Sequence, residues 1–372
     1  MATMTNRKYF QQIMQGKLSD WIPNYELGCW PQTVQRWLDE GIPADQVYWN
    51  FWQGEPFFKI DRHDYAHLNI SMIPAFEYQV LEENEETILF VDTVGRKRKG
   101  LKVDGKYTSV CMDQYISHPV TDRASWNEIK KRYNPQVPVR YPMLWDEMAR
   151  IWEKRDYPLC LIGNGAFGLY SQLRSWVGTE DISYLFYDDP ALVEEMIEFN
   201  TDFLLQLVAR ALPDVEFDYF NFFEDCAGKG GPLYGGELFN RFFRKPYQRI
   251  IDTLRKGGVQ SIWLDCDGDP SPLIPLWMEV GVNCFWPLEQ ASGMDPRLLR
   301  QKYGPGLILA GGIDKREIAK GKQAIEKELY AKIPPLLEQG GYIPFLDHAI
   351  PPDISYPNFM YYMELKLKLM GR

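Results

Sequence analysis

The sequence lacks the features that mark several common classes of protein. Its six cysteines, at positions 29, 111, 160, 226, 266 and 284, form no CxxC pair, so neither a disulfide framework nor a thiolate zinc site is indicated. The stretch MATMTNRKYFQQIMQGKLSD contains no apolar segment of the signal-peptide kind. No later run approaches the roughly 18 uninterrupted apolar residues of a membrane span. We therefore expect a cytoplasmic protein with reduced cysteines.

Basic residues are also in deficit. The chain has 41 Lys and Arg against 51 Asp and Glu, a net charge of −10, which disfavours broad attraction to nucleic acid or to anionic membranes. The one basic run, GRKRKGLK (95–102), lies between strand-like segments and predicts an exposed hairpin tip. With 45% hydrophobic and 15% aromatic residues, the chain is instead typical of a folded globular protein with a large core.

From Tyr157 onward, apolar runs alternate with helical segments. The runs are nearly continuous in apolar residues, as expected where helices cover both faces of a parallel sheet. They are YPLCLIGNG (157–165), FDYFNFFED (217–225), SIWLDCDG (261–268), VNCFWPLE (282–289), LILAGGID (307–314) and YIPFLDH (342–348), with a further strand at WIPNYELG (21–28). Residues 189–212 and 315–341 have apolar residues at helical spacing. The number of strands predicts an α/β fold, a closed (β/α)8 TIM barrel rather than an open doubly wound sheet.

Residues from about 50 to 122 interrupt this alternation. The segment EETILFVDTVGRKRKGLKVDGKYTSVCMD predicts short antiparallel strands joined at VGR and DGK. No internal repeat or linker marks a second domain. We therefore predict one domain over residues 1–372, with an N-terminal helical and β-hairpin elaboration and a barrel that is most regular from 157 to 372.

Acidic residues follow strand after strand. Functional groups of a (β/α) barrel collect at the carboxyl ends of its strands. The acids at these ends are Glu26, Glu224, Asp225, Asp265, Asp267, Glu289, Asp314 and Asp347, and His348 follows the last of them. Asp also commonly caps helices, and capping explains Asp269 and Asp314 at least as well as a functional role does. Capping does not account for Asp265, which lies inside its strand run. Packed carboxylates repel one another, which predicts a cation or a shared proton among them.

Three segments resemble the uroporphyrinogen decarboxylase superfamily, whose members are (β/α)8 barrels: LDCDGDPSPLIPLWMEVGVNCFWPLE, LILAGGIDKREIAKG and GGYIPFLDHAIPPDISYPNFMYYMELKL. The resemblance extends over nearly the whole chain. True decarboxylases carry an Arg-rich RQAGRY-type segment after the first strand and an Asp after the next, where this chain reads NYELGCWPQT and ISMIPAFEYQ. A porphyrinogen with its many carboxylates needs a basic pocket. We therefore expect no decarboxylation of that substrate.

The resemblance is closest to the corrinoid-dependent methyltransferases, the O-demethylase branch of the superfamily. Members that act on thiols bind zinc through an HxCG-type strand end and a later Cys before an IPP-like turn. In this chain the corresponding positions hold Asp265, Asp267 and His348. Cys266 is out of phase by one residue, which directs its side chain to the opposite face of the strand. Oxygen and imidazole ligands in place of thiolates favour a harder, oxygen-binding centre.

An ether oxygen is therefore the substrate atom that this departure implies. The resemblance implies transfer of a methyl group from an aryl methyl ether to Co(I) of cobalamin, carried by a partner corrinoid protein or free. The leaving phenolate must be stabilised by a Lewis acid, by protonation, or by both. Asp265, Asp267 and His348 are the candidate ligands of a metal ion, with zinc the candidate metal. Alternatively His348, oriented by Asp347, donates the proton without a metal.

The candidate site residues fall into two groups. The catalytic candidates are His348, Asp267, Asp265 and Glu224, and the substrate-binding candidates are Glu26, Trp30, Phe167, Asp225, Glu289 and Asp347. Further aromatic residues are candidates either for the pocket or for ordinary core: Trp49, Trp52, Trp176, Phe222, Phe223 and Trp286. Two other functions stay open, a decarboxylase or lyase of a small carboxylic acid and a noncatalytic ligand-binding barrel. The expected partners are a corrinoid protein and the small aromatic ether, with a homodimer left open and no nucleic acid or membrane.

Overall fold

A computed structural model describes residues 4–46, 51–103, 105–107, 113–163 and 167–372. The candidate pocket residue Trp49 and the side chain of Trp52 lie outside this description, as does the end of the predicted strand 157–165.

The described strands and helices alternate regularly in the second half of the chain. The strands are β1 (Asp64–Tyr65), β2 (Gln79–Glu83), β3 (Thr87–Val91), β4 (Lys97–Val103), β5 (Lys106–Tyr107), β6 (Gln114–Ser117), β7 (Leu159–Cys160), β8 (Tyr219–Phe223), β9 (Ala227–Gly228), β10 (Gly231–Pro232), β11 (Ser261–Asp265), β12 (Cys284–Trp286), β13 (Ile308–Ala310) and β14 (Tyr342–Ile343). The α-helices are α1 (Asn6–Met14), α2 (Pro31–Asp39), α3 (Arg123–Lys130), α4 (Trp145–Glu153), α5 (Leu169–Val177), α6 (Thr179–Asp188), α7 (Pro190–Ala211), α8 (Gly236–Leu238), α9 (Arg244–Lys256), α10 (Ile274–Val280), α11 (Pro296–Tyr303), α12 (Lys315–Ala319), α13 (Lys322–Leu337) and α14 (Tyr356–Leu369). Short 3₁₀ turns cover Ala44–Gln46, Phe51–Gln53, Pro138–Arg140 and Gln290–Ser292, and a π-helical turn covers Phe239–Phe243.

Seven of the described strands form one parallel sheet in the order β1-β7-β8-β11-β12-β13-β14. Each of the six apolar runs from Tyr157 onward contributes one of these strands, so the predicted α/β alternation is confirmed. The register aligns the strand ends, because Asp265 pairs with Phe223 on one side and with Trp286 on the other. The carboxyl ends of the strands therefore lie side by side, and so do the loops that follow them. This end of the sheet is called the carboxyl edge below.

The predicted strand at WIPNYELG takes a different form. Its residues belong to no assigned strand, yet they hydrogen-bond to both ends of the sheet. The amide of Asp61, just before β1, donates to Asn24 O at 2.9 Å. The amide of Ile350, after β14, donates to Gly28 O at 2.8 Å. The two-residue strand β1 lies within the region predicted to be irregular and is too short to leave a periodic pattern.

The sheet separates two packing layers. Trp263 packs with Tyr219 and Trp286 on one face, whereas Ile262 and Leu264 pack against the helices on the other. Because side chains alternate along a strand, Asp265 faces the same way as Trp263. Cys266 lies in the helix-facing layer, on the side of the strand opposite to Asp265. This is the orientation that its position one residue out of phase predicts.

The N-terminal elaboration is a separate antiparallel sheet. Its strand order is β2-β3-β4-β5, and β6 also pairs with β4. The predicted VGR turn joins β3 to β4, and Gly95 there has φ of +90°. Gly105, between β4 and β5, has φ of +69°, and Asp104 of the predicted DGK turn lies outside the described residues.

The two predicted helical segments have different outcomes. Residues 189–212 form α7, which Asp189 caps by accepting the amide of Leu192. The segment 315–341 forms two helices rather than one, because Gly321 between α12 and α13 has φ of +108°. No helix among the described residues has both the length and the apolar character needed to cross a membrane.

Candidate active site

Asp267 and His348 meet at the carboxyl edge, one after β11 and the other after β14. His348 Nε2 lies 3.6 Å from Asp267 Oδ2, and the two side chains are 33% and 41% exposed respectively. Contact with the Asp267 carboxylate raises the pKa of His348, against the opposing effect of burial. The ring of Trp30 approaches His348 edge-on, with centroids 6.5 Å apart. The arrangement leaves a partly exposed imidazole, whose protonated form Asp267 favours, beside an aromatic ring.

Asp265 occupies a different environment one strand position earlier. Its residue is only 7% exposed, and its carboxyl has no hydrogen-bond partner among the described residues. Burial raises the pKa of Asp265 well above its usual range, and the nearby charges of Asp267 and Asp225 raise it further. Such surroundings favour the protonated form of a carboxyl. The site therefore contains a buried carboxyl that favours its neutral form, behind the partly exposed Asp267–His348 pair.

The predicted metal ligands do not form one donor set. In the described part of the chain, no three His, Cys, Asp or Glu side chains are grouped so as to hold a metal ion. Asp267 contacts His348, whereas Asp265 lies deeper and without a partner. These residues do not fit a resident zinc ion, which needs three or four converging ligands.

Glu224, a catalytic candidate, caps a helix. Its carboxylate accepts the amide of Tyr170 at 3.0 Å, and the amide and hydroxyl of Ser171 at 2.9 and 3.1 Å, at the start of α5. The side chain is fully buried, and burial raises its pKa to about 7 although the hydrogen bonds lower it. Gly168 permits this approach, because a Cβ there would lie 1.9 Å from the carbonyl oxygen of Phe223. Glu224 holds the loop of β8 against α5.

Asp225 faces solvent beside that cap. Its carboxylate pairs with Arg174 at 2.7 Å, and its amide donates to Ser171 Oγ at 2.8 Å. Asp225 is thus a charged group at the carboxyl edge whose charge is already balanced.

Two further candidates, Glu289 and Asp347, connect neighbouring loops. Glu289 accepts the amide of Gly268 and the hydroxyl of Ser292, each at 3.0 Å. Asp347 is buried and accepts the amides of Gln290 at 2.8 Å and Lys315 at 3.1 Å. Burial raises the pKa of Asp347. The carboxylate in contact with His348 is therefore Asp267 rather than Asp347, whose oxygens are occupied by backbone amides.

The structure places Glu26 away from solvent. Its carboxylate is fully buried, paired with Lys366 and accepting the hydroxyl of Tyr362. Its second oxygen accepts the amide of Leu346 at 3.2 Å. Glu26 thus ties the segment after α1 to α14 and to the end of β14.

The aromatic candidates divide by face. Trp176 and Phe222 lie buried in the helix-facing layer, and Phe167 is 3% exposed with its carbonyl accepting the amide of Phe223. Trp286 lies on the opposite face, where its indole donates to Asn221 Oδ1 at 2.8 Å. Trp30 remains partly exposed near His348.

Sequence reasoning missed two residues of this face. Asn221 interrupts the apolar run YFNFF, a signal that could have marked it, and its amide nitrogen is buried without a partner among the described residues. Tyr65 lies on β1, where no pattern predicts a strand, and its ring is 4.1 Å from that of His67. Asp314, by contrast, caps α12 through the amide of Arg316, which confirms the capping interpretation.

Comparisons with known proteins agree with this architecture. The family model described as Uroporphyrinogen decarboxylase (URO-D) matches residues 75–366. No curated protein matches the chain. Among solved structures, a methyltransferase from Methanosarcina mazei has a TM-score of 0.62 over 99% of both chains, at 12% identity. At that identity the likeness shows a shared fold.

Proposed function

The chain belongs to the uroporphyrinogen decarboxylase (URO-D) family, whose model matches residues 75–366, and from this premise we propose that it is a cytoplasmic methyltransferase. The proposed reaction moves a methyl group from an aryl methyl ether to the Co(I) corrinoid of a partner protein, an O-demethylation. The likeness along 99% of its length to a protein titled methyltransferase supports this choice within the family. The resemblance of the strand-end motifs to the corrinoid-dependent branch supports the acceptor.

The observation that carries the proposal is the Asp267–His348 pair at the carboxyl edge. An aryl ether is a poor methyl donor because its leaving group is a phenolate. An imidazolium within reach of the ether oxygen supplies the proton that this leaving group needs. Asp267 favours the protonated form of His348 by raising its pKa.

The corrinoid of the partner supplies the nucleophile for the methyl carbon. As the carbon–oxygen bond breaks, its electron pair stays on the ether oxygen, and the proton of His348 passes to that oxygen to give the phenol. The ring of Trp30, beside His348, offers a face or edge for the aromatic substrate. The neutral Asp265 offers a further hydrogen-bond donor behind the pair.

Decarboxylation of a porphyrinogen fits the charges poorly. Two cations described at the carboxyl edge are paired, Arg174 with Asp225 and Lys315 with Asp347. A substrate with many carboxylates would meet further carboxylates, Asp267 among them, rather than free guanidinium groups.

The proposal includes the form of the sheet. We place the segment containing Asn24 and Gly28 in the eighth position of a closed barrel, between β14 and β1. The hydrogen bonds from Asp61 and Ile350 to this segment support that closure.

The test is a methyl-transfer assay with the full chain, chemically reduced cobalamin and a panel of methoxylated arenes. We expect methylcobalamin and the demethylated phenol in equal amounts. His348→Gln should lower the rate by about a hundredfold or more, the usual range for loss of a general acid. His118→Gln, at a histidine outside the proposed Asp267–His348 pair, should retain the wild-type rate.

Two outcomes would replace the proposal. Release of CO2 from a small acid without methylcobalamin would indicate the decarboxylase or lyase alternative. A ligand that raises the melting temperature while neither chemistry occurs would favour a noncatalytic binding barrel.

A further inference from the structure

Two cysteine thiols lie in contact immediately behind the acids of the site. Cys226 follows Asp225, Cys266 follows Asp265, and their sulfur atoms are 3.7 Å apart. Both residues are buried in the helix-facing layer, Cys226 completely and Cys266 with 3% exposure. The proposed methyl transfer uses neither thiol.

The backbones of the two loops that carry these thiols are in direct contact. The amide of Asp269 donates to Gly228 O at 3.0 Å, and a Cβ on Gly268 would lie 2.6 Å from Ala227 O. Rotation of the cysteine side chains can bring the two sulfur atoms closer, and any further approach must move backbone on at least one loop. Asp225 and Asp267, each next to one of the cysteines, would move with it.

We propose that Cys226 and Cys266 form a disulfide under oxidising conditions and that this bond switches the site off by displacing Asp267 from His348. A disulfide bond is about 2.05 Å long, so the sulfurs must close by about 1.7 Å from their present 3.7 Å. A displacement of about 1 Å at a positioned group is enough to cost about a hundredfold in rate. Only the loss of methyl transfer rests on the proposed function. The disulfide and the displacement of Asp267 do not.

A small-molecule disulfide serves as the oxidant of the two protein thiols. One thiolate attacks the external disulfide and releases one small thiol, and the other cysteine then attacks the mixed disulfide and releases the second. Two protein thiols are oxidised while one external disulfide is reduced to two thiols.

The burial of the two thiols makes this exchange slow. The hydrogen bond with Cys226 and burial raise the pKa of Cys266, which disfavours its thiolate, and because both sulfurs are buried the loops must open before an oxidant enters. We therefore expect oxidation over hours rather than seconds, and a response to sustained oxidising conditions.

Peptide mapping tests the bond. The full chain is incubated with oxidised glutathione, its remaining thiols are alkylated after unfolding, and its peptides are sequenced by mass spectrometry. We expect a linked Cys226–Cys266 peptide that is two hydrogens lighter than the reduced pair. Cys266→Ser should abolish the link, whereas Cys29→Ser, which removes a buried cysteine distant in sequence, should leave it intact. Free, alkylated Cys226 and Cys266 in the wild type after prolonged oxidation would overturn the proposal.

The displacement of Asp267 is tested by the pKa of the His348 imidazole, a measurement that needs no substrate. Its NMR titration is compared in reduced and oxidised protein, with His348→Gln used to assign the signal. We expect a lower pKa for His348 after oxidation and recovery with dithiothreitol. Methyl transfer should fall and recover in parallel, by about a hundredfold. An unchanged His348 titration in fully linked protein would refute the switch, whereas a reduced protein that transfers no methyl group would refute the proposed function alone.

Discussion

Asp265 and Asp267 are two residues apart and yet occupy opposite electrostatic environments. Asp265 is buried beside other carboxyls, which favours its neutral form, whereas Asp267 is partly exposed and faces the imidazole of His348. The short sequence LDCD therefore places a buried carboxyl and a partly exposed one on the same face of the strand end.

The substitution Asp267→Asn tests the role of this anion. It removes the charge that raises the pKa of His348, so the imidazolium should lose its proton at lower pH. Because the proposed acid acts in its protonated form, the rate should fall as pH rises through the pKa of His348. In the variant that fall should begin at lower pH. NMR titration of His348 and the pH profile of methyl transfer measure the two shifts, and an identical profile in the variant would separate Asp267 from His348.

Asp265→Asn tests the neutral acid through stability. Because the folded-state pKa of Asp265 is raised above its ordinary value near 3.8, the wild type loses stability as pH rises from about that value toward the folded pKa. The amide of the variant does not ionise, so the variant should equal the wild type at acid pH and exceed it by about 1–3 kcal/mol at neutral pH. Urea unfolding at both pH values measures this difference, with the exposed Asp353→Asn as the control. A variant no more stable than the wild type at neutral pH would mean that ionisation of Asp265 does not destabilise the fold.

Residue-level prediction from the sequence succeeds where geometry is local and fails where it is not. The rule that parallel strands share a carboxyl edge predicts that Asp267 and His348 lie at the same edge, and the resemblance to the corrinoid-dependent methyltransferases is what groups them in one site. The same rule selects Glu26, whose actual partner, Lys366, is 340 residues away. No local pattern reveals that a lysine on the last helix neutralises this acid.

At the scale of elements, the long periodic segments are the predictable ones. The strand β11 is buried on both faces, which leaves a continuous apolar run in the sequence. The helix α7 buries one stripe, which leaves apolar residues at helical spacing over many residues. The strand β1, with two residues, leaves none. The break between α12 and α13 lies at Gly321, whose φ of +108° is a conformation that glycine adopts readily and other residues rarely do. A single glycine within a helical pattern does not by itself predict such a break.

The element that most directly shapes the site is α5, because Glu224 joins its first turn to the loop after β8. Glu224→Ala removes the acceptor of two backbone amides, those of Tyr170 and Ser171. We expect a loss of about 1–3 kcal/mol in the free energy of unfolding and faster hydrogen exchange at these amides. Glu224→Gln, which retains one acceptor oxygen, should lose less. Glu180→Ala, in the exposed first turn of α6, is the control, and an equal loss in both alanine variants would remove the special role of Glu224.

At the scale of the whole molecule, the two ends of the chain meet on the sheet. The segment from Asn24 to Trp30 hydrogen-bonds on one side to the residues before β1 and on the other to those after β14. Glu26 in this segment bonds to Lys366 and Tyr362 of α14, all three side chains being buried. The carboxyl edge, with Trp30 from one end and His348 from the other, depends on this junction.

Lys366→Met tests the junction. It removes the cation from a fully buried pair and leaves the carboxylate of Glu26 without its counter-charge, which typically costs about 3–5 kcal/mol. The double variant Glu26→Gln with Lys366→Met removes both charges and should recover part of that loss. Lys368→Met, an exposed position on the same helix, should change the free energy of unfolding by less than about 0.5 kcal/mol. Urea unfolding followed by tryptophan fluorescence gives these values, and hydrogen exchange of residues 22–30 shows whether the segment opens before the sheet. If Lys366→Met behaves like Lys368→Met, the ion pair contributes nothing to the junction, and the hydrogen bonds to Asn24 and Gly28 must hold it alone.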